Sequence, residues 1–343
     1  MRPLTPLREA RQHYENALAA DDRTAVAGLV ERLLDDGVAP PDVLTGVVAP
    51  VQRAIGERWQ RGEWTVAQEH AATAMAMAAT DVVARRLNQL PVTAGHVIVT
   101  CAEREWHWLP AAIIACVLRA DGWRTTQLGP ATPPMRLSRY IQDLGPDAVA
   151  VSCSVLGALP TTRRFIEAAT AAGVPVMVGG AALGADELRA AALGATAWAP
   201  DARAARDVIT TLATVVPPAP PLPAAPAREQ RALDLDQPRL LDGIRRQWTV
   251  TAGAASGPAV TSLRTVAREA LPQTLHAVSA ALLTGDTRPI TETAVWLSEL
   301  LAARGVEADP AISELGAVLA AALVDHPLSL DLVRRHFRCA PTG

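Results

Sequence analysis

Along the first ninety residues, apolar positions return every three or four residues and never alternate for long. This period marks Leu7 to Ala20, Arg23 to Asp35, Pro41 to Trp59 and Val66 to Leu90 as helices. Asp21-Asp22, Gly37 with Pro40-Pro41, and Arg61-Gly62 separate them. Four helices with short connections predict an up-and-down bundle over residues 1–92.

At Val97 the pattern changes. Short apolar runs rich in β-branched residues, VIVTC (97–101), TTQL (125–128), AVAVSC (148–153), PVMVGG (175–180) and ATAW (195–198), alternate with Ala-rich helical stretches. Strands separated by helix-length segments predict a parallel sheet covered on both faces, and five such units over residues 93–216 fit a flavodoxin-like, doubly wound domain. PPAPPLPAAPA, residues 217–227, reads as a semi-rigid extended linker. Helical periodicity then returns in six segments, about 231–249, 258–270, 272–285, 289–305, 310–325 and 328–337, with breaks that include Gly257-Pro258. Residues 228–343 are thus expected to form a third, all-helical domain.

Composition narrows the function. Half of the 343 residues are apolar, and no run is long enough to span a bilayer. The net charge is −3, and all 32 cationic residues are arginines spread among Asp and Glu, so no basic face for nucleic acid emerges. Cys101, Cys116, Cys153 and Cys339 form no CxxC pair and read as reduced thiols, which with the missing signal core predicts a cytoplasmic protein without a membrane segment.

Chemistry-bearing residues cluster where such sheets bind ligands, beyond the carboxyl ends of the strands. The first loop carries Glu105-Trp106-His107, the third Ser152-Cys153-Ser154, the fourth Gly179-Gly180. A carboxylate accepting an imidazole N–H would orient His107 as a ligand, small hydroxyl residues would widen a slot, and the glycine pair would admit close approach of a bulky ligand.

The first loop, Glu105-Trp106-His107-Trp108-Leu109-Pro110, resembles the D-x-H-x-x-G loop of cobalamin-binding domains, with Glu for Asp and Pro110 for Gly. That resemblance implies His107 as the lower axial ligand to cobalt. It also implies Ser152, Ser154, Gly179 and Gly180 around the displaced dimethylbenzimidazole tail. In the bundle, Trp59, nine residues, then Glu69-His70 is similar to the W-x9-E-H signature of the B12-dependent photoreceptors. There the bundle covers the upper corrin face, the tryptophan packs on the 5′-deoxyadenosyl group and the Glu-His pair lies nearby. Gln60 stands where well-known members place a histidine that captures cobalt after photolysis, so that ligand is not expected here unless His70 supplies it.

The order of helical cap, cobalamin domain and helical carboxyl-terminal domain is similar to that of the photocobilins, in which a globin-like last domain holds a linear tetrapyrrole. This implies biliverdin bound non-covalently, because Cys339 follows the last expected helix. Arg264, Arg268, His276, Arg288 and Trp296 are residue types suited to its propionates, pyrrole nitrogens and walls. The resemblances together imply a light sensor using adenosylcobalamin, not an enzyme. It would signal through light-dependent homo-oligomerisation or a downstream partner, and with no helix-turn-helix signature no direct DNA binding is expected. The alternative is the corrinoid carrier of a methyltransferase system, which shares bundle and loop.

Overall fold

The computed structural model describes residues 5–252 and 258–338; Gly257 and Cys339, named above, lie outside them. The chain divides into two compact units, the first running to Trp59 and from Glu63 to Ala219, the second comprising Gln60–Gly62 and the chain from Pro220 on.

The first unit opens with α1 (Thr5–Ala19), α2 (Arg23–Asp35), α3 (Pro40–Val43), α4 (Ala49–Gln60) and α5 (Val66–Leu87). Between α3 and α4 the helix continues as a π turn, Leu44–Val48. Pro50 explains it. Proline has no N–H for the carbonyl four residues earlier and its ring crowds that position; the freed Gly46 carbonyl instead accepts from Arg11 Nε. A capping box sets the start of α5: Thr65 Oγ1 accepts from Gln68 N–H at 3.2 Å, and Gln68 Oε1 accepts from Thr65 N–H at 2.9 Å.

The sheet domain follows as β1 (His96–Cys101), α6 (Trp108–Ala120), β2 (Arg124–Gln127), α7 (Pro134–Leu144), β3 (Ala148–Ser152), α8 (Leu159–Ala171), β4 (Val176–Gly179), α9 (Leu188–Ala192), β5 (Ala197–Ala199) and α10 (Ala202–Thr210). All neighbouring strands are parallel in the order β2-β1-β3-β4-β5, the flavodoxin-like order expected from the strand–helix alternation. β1, β3 and β4 are buried at every position, as a sheet covered on both faces requires.

The expected boundary at residue 92 is not a boundary between cores. Leu109, Ile113, Cys116 and Val117 of α6 belong to the bundle's apolar cluster, while Ala111, Ala115 and Leu118 of the same helix pack on the sheet. A helix apolar around most of its circumference has two partners to bury against. Arg119 on α6 donates to the carbonyls of Leu90 and Pro91, fixing the connecting segment, and Arg206 on α10 grips Asp121 with two bonds of 2.6 Å. At the far end of α8, Thr170 Oγ1 accepts from Ala219 N–H at 3.0 Å.

The second unit contains α11 (Ala224–Gln247), α12 (Thr249–Ala252), α13 (Pro258–Ala270), α14 (Pro272–Thr284), α15 (Arg288–Ala302), α16 (Ala308–Ala322) and α17 (Pro327–His336). The expected linker is therefore shorter than its proline content suggests: residues 224–227 already belong to α11, since Pro226 falls within the first turn, where its missing N–H costs nothing. α14 is buried from Ala277 through Thr284. Trp248 is fully buried and its Nε1–H donates to Ala311 O at 3.0 Å. Among the described residues, no helix is long and apolar enough to cross a membrane.

Candidate ligand site at the sheet edge

β1 ends at Cys101, and the loop that follows is tied down on three sides. Ala102 bridges Thr132, Ala131 N–H donates to Glu105 O at 3.0 Å, and Thr161 Oγ1 of α8 donates to Glu103 O at 2.6 Å. Arg104 takes a left-handed φ of 71°, so the turn is shaped by these restraints rather than by a glycine. His107 is the N-cap of α6, which places Pro110 in the first turn, a position proline tolerates; the departure from Gly is absorbed there.

Glu105 has no exposed surface, and both carboxylate oxygens are used. Oε1 accepts from His107 N–H at 2.8 Å and from His107 Nδ1 at 2.7 Å. Oε2 accepts from Ser154 N–H at 2.5 Å and from Val155 N–H at 3.0 Å. Burial pushes the carboxyl up, but the bonds from the His107 ring, the His107 N–H and the Ser154 N–H together hold it below its ordinary value. As a carboxylate it only accepts, so Nδ1 of His107 carries a proton and Nε2 is the nitrogen left with a lone pair in the neutral ring. The His107 side chain is 62% exposed. Its pKa is raised, chiefly by the hydrogen bond to Glu105 against the effect of burial, with further contributions from the Glu105 and Glu69 charges.

Glu69 stands in the first turn of α5, so bundle and sheet domain bring a carboxylate and an imidazole into electrostatic reach of each other. Its neighbour His70 is largely exposed, with Nε2 3.9 Å from Glu69 Oε2. Trp59 is half-buried at the end of α4, whereas Trp64, which the sequence did not single out, packs on the bundle core.

Behind the loops, Cys101, Ser152, Gly179 and Ala199 form one register row across four strands. Cys101 and Ala199 face the cluster shared with α6 and α10. Ser152 Oγ is buried and has no hydrogen-bond partner. A buried hydroxyl without one is uncommon and needs an explanation. Ser154 takes part through its backbone N–H on Glu105. The glycine pair is packed tightly against neighbouring backbone. A Cβ on Gly179 would lie 2.6 Å from Ala199 O, and one on Gly180, whose φ is +108°, 2.4 Å from Cys153 O. In the direction a side chain would take, the space is already filled by the protein's own backbone, so these glycines allow strands and loops to approach each other.

The second unit's candidates sit on α13, α14 and α15. Arg264 Nε is buried without an acceptor, Arg268 donates to Thr251 O at 3.1 Å, and His276 is half-buried on α14. Arg288 is committed to the buried Asp286 through Nε at 2.8 Å, and Trp296 is half-buried on α15.

Comparison with known proteins bears on the first unit. Residues 95–208 match the family described as a B12 binding domain, and residues 10–84 match a second family of the same description. The chain carries B12-binding domains. Over 185 residues it is 31% identical to the HTH-type transcriptional repressor CarH of Myxococcus xanthus, covering 51% of this chain and 60% of that protein. Over 169 residues it is 32% identical to the HTH-type transcriptional repressor CarA of the same organism, covering 46% and 54%. The match thus spans less than two thirds of either relative. The monomethylamine corrinoid protein of Methanosarcina barkeri shares the fold of the B12-binding domains at 20% identity, with a TM-score of 0.51 over 59% of this chain and 97% of that one.

Proposed function

We propose that this chain is a light sensor that binds adenosylcobalamin where bundle and sheet domain meet, with His107 as the lower ligand to cobalt. The observation that carries the reading is the Glu105–His107 pair: Nδ1 is held by a buried carboxylate and Nε2 is free, on an exposed ring within electrostatic reach of Glu69 from the bundle. The residues fit the group. His107 presents Nε2 as a single imidazole ligand, which suits a metal whose other ligands come with a macrocycle. Ser152 Oγ, buried and unpartnered, offers a hydrogen bond to an inserted tail.

When bound, the cobalamin supplies a cobalt–carbon bond that light breaks. Glu105 fixes the ring and raises its basicity. Trp59, at the end of α4, supplies a flat apolar surface that excludes water, and Glu69 and His70 are hydrogen-bonding groups for a sugar or base. Trp59, Glu69 and His70 would lose a partner if the upper group left, which would bias packing within the unit, and homo-oligomerisation or a downstream partner would read the change. In the second unit the reading extends to biliverdin. Arg264, whose buried Nε lacks an acceptor, would pair with a propionate, with Arg268 and His276 nearby in sequence as further donors.

The test is an absorption spectrum of the full chain with adenosylcobalamin and biliverdin, in the dark and after green light. The sensor reading expects bound adenosylcobalamin that bleaches on illumination, loss of binding by at least about tenfold in His107→Ala, and a red band that weakens in Arg264→Ala. Turnover of methylcobalamin in the dark supports a corrinoid carrier instead, and a colourless protein overturns both.

A further inference from the structure

The bundle contains a polar chain that its core does not require. Gln52 Nε2 on α4 donates to Thr73 Oγ1 on α5 at 2.5 Å, and Thr73 Oγ1 donates to Glu69 Oε1 at 2.9 Å. The direction is fixed by the inventory of protons. A carboxylate only accepts and the Thr73 hydroxyl has one proton, so that proton goes to Glu69 and the amide must present its NH₂ group to Thr73. Turning the amide would trap the hydroxyl between two acceptors. The structure keeps this orientation although it leaves Gln52 Oε1 buried without a donor.

For Glu69 the consequence is positional. A glutamate on a helix surface samples many rotamers, and holding it in one costs side-chain freedom unless a contact selects it. Thr73, one turn on, selects it through Oε1, and Gln52 anchors Thr73 from a different helix. Oε2 is left available: its distance of 3.9 Å to His70 Nε2 is too long for a hydrogen bond.

We propose that Thr73, backed by Gln52, is a positioning residue that presents Glu69 Oε2 to a hydroxyl donor on the upper ligand of a bound cobalamin, and so sets the preference for a sugar-bearing ligand over a small one. This rests on the adenosylcobalamin reading above. It adds two residues that act through Glu69.

The test is a pair of absorbance titrations of the full chain, with adenosylcobalamin and with hydroxocobalamin, which differ only in the upper ligand. Thr73→Val is expected to weaken adenosylcobalamin about tenfold, the loss of one well-placed hydrogen bond to a charged group, while hydroxocobalamin changes less than about twofold. Thr73→Ser, which keeps the hydroxyl, restores the preference, and Gln52→Leu gives a smaller loss of the same kind. On a Glu69→Ala background Thr73→Val should add nothing, since it acts through the missing carboxylate. Equal weakening of both cobalamins, no effect on either, or failure of Thr73→Ser to restore the preference overturns the proposal while leaving cobalamin binding intact. If the unaltered chain binds neither, the functional reading falls and this inference with it.

Discussion

Burying a carboxylate costs several kcal/mol unless every lone pair is answered, and Glu105 answers it with four N–H groups from His107, Ser154 and Val155. Glu105→Ala is expected to lower unfolding stability by about 2 kcal/mol, because four N–H groups lose their shared acceptor and a cavity is left in its place; urea denaturation measures this. The two partners give the stability opposite dependences on pH. Glu105 is depressed below its ordinary 4.5, so its contribution is complete above that value and lost as pH falls through the lower folded-state one. His107 is raised above its ordinary 6.5, so its contribution is complete below 6.5 and lost as pH rises through the higher folded-state one. The pair should therefore support the cofactor-free fold best between these two ordinary values, and His107→Ala should remove the decline on the alkaline side. Ser152 gives the reverse separation of stability from binding. Because its hydroxyl bonds to nothing in the fold, Ser152→Ala should change stability by less than about 0.5 kcal/mol yet weaken cobalamin binding in a titration.

At the scale of elements, Gly180 makes the sharpest prediction. An added methyl group would lie 2.4 Å from Cys153 O at a φ of +108°, so Gly180→Ala should cost more than about 2 kcal/mol or prevent folding, read as soluble yield and melting temperature. The sequence showed the glycine pair but not what filled the space beside it, because that neighbour is 27 residues away and enters only when β3 and β4 pair. The same limit hid the second oxygen of Glu105, which reaches Ser154 and Val155 across the sheet edge. What repeats locally was legible: four bundle helices, five strands and their order follow from a change of period from helical to strand-like near residue 97. The interrupted α3–α4 helix was readable in principle from Pro50, and the shared core from WLPAAIIACVLRA, a helix with too few polar residues to have a solvent face.

For the whole molecule, two compact units predict two unfolding steps rather than one. Calorimetry of the full chain should resolve them, and limited proteolysis should cut first within residues 217–223. Cobalamin at about a hundred times its Kd should stabilise the step belonging to the first unit by about 2.7 kcal/mol and leave the other unmoved; a shift of both steps together would show that they unfold as one. Helix α8 gives this division a mechanical side. Its first turn follows the two residues whose N–H groups Glu105 holds, and its last full turn carries Thr170, the acceptor for Ala219. A single rod about 20 Å long thus runs from the loop that holds the imidazole's carboxylate to the root of the proline tether, which the Gly173 carbonyl and the Thr170 hydroxyl fasten through Val216 and Ala219.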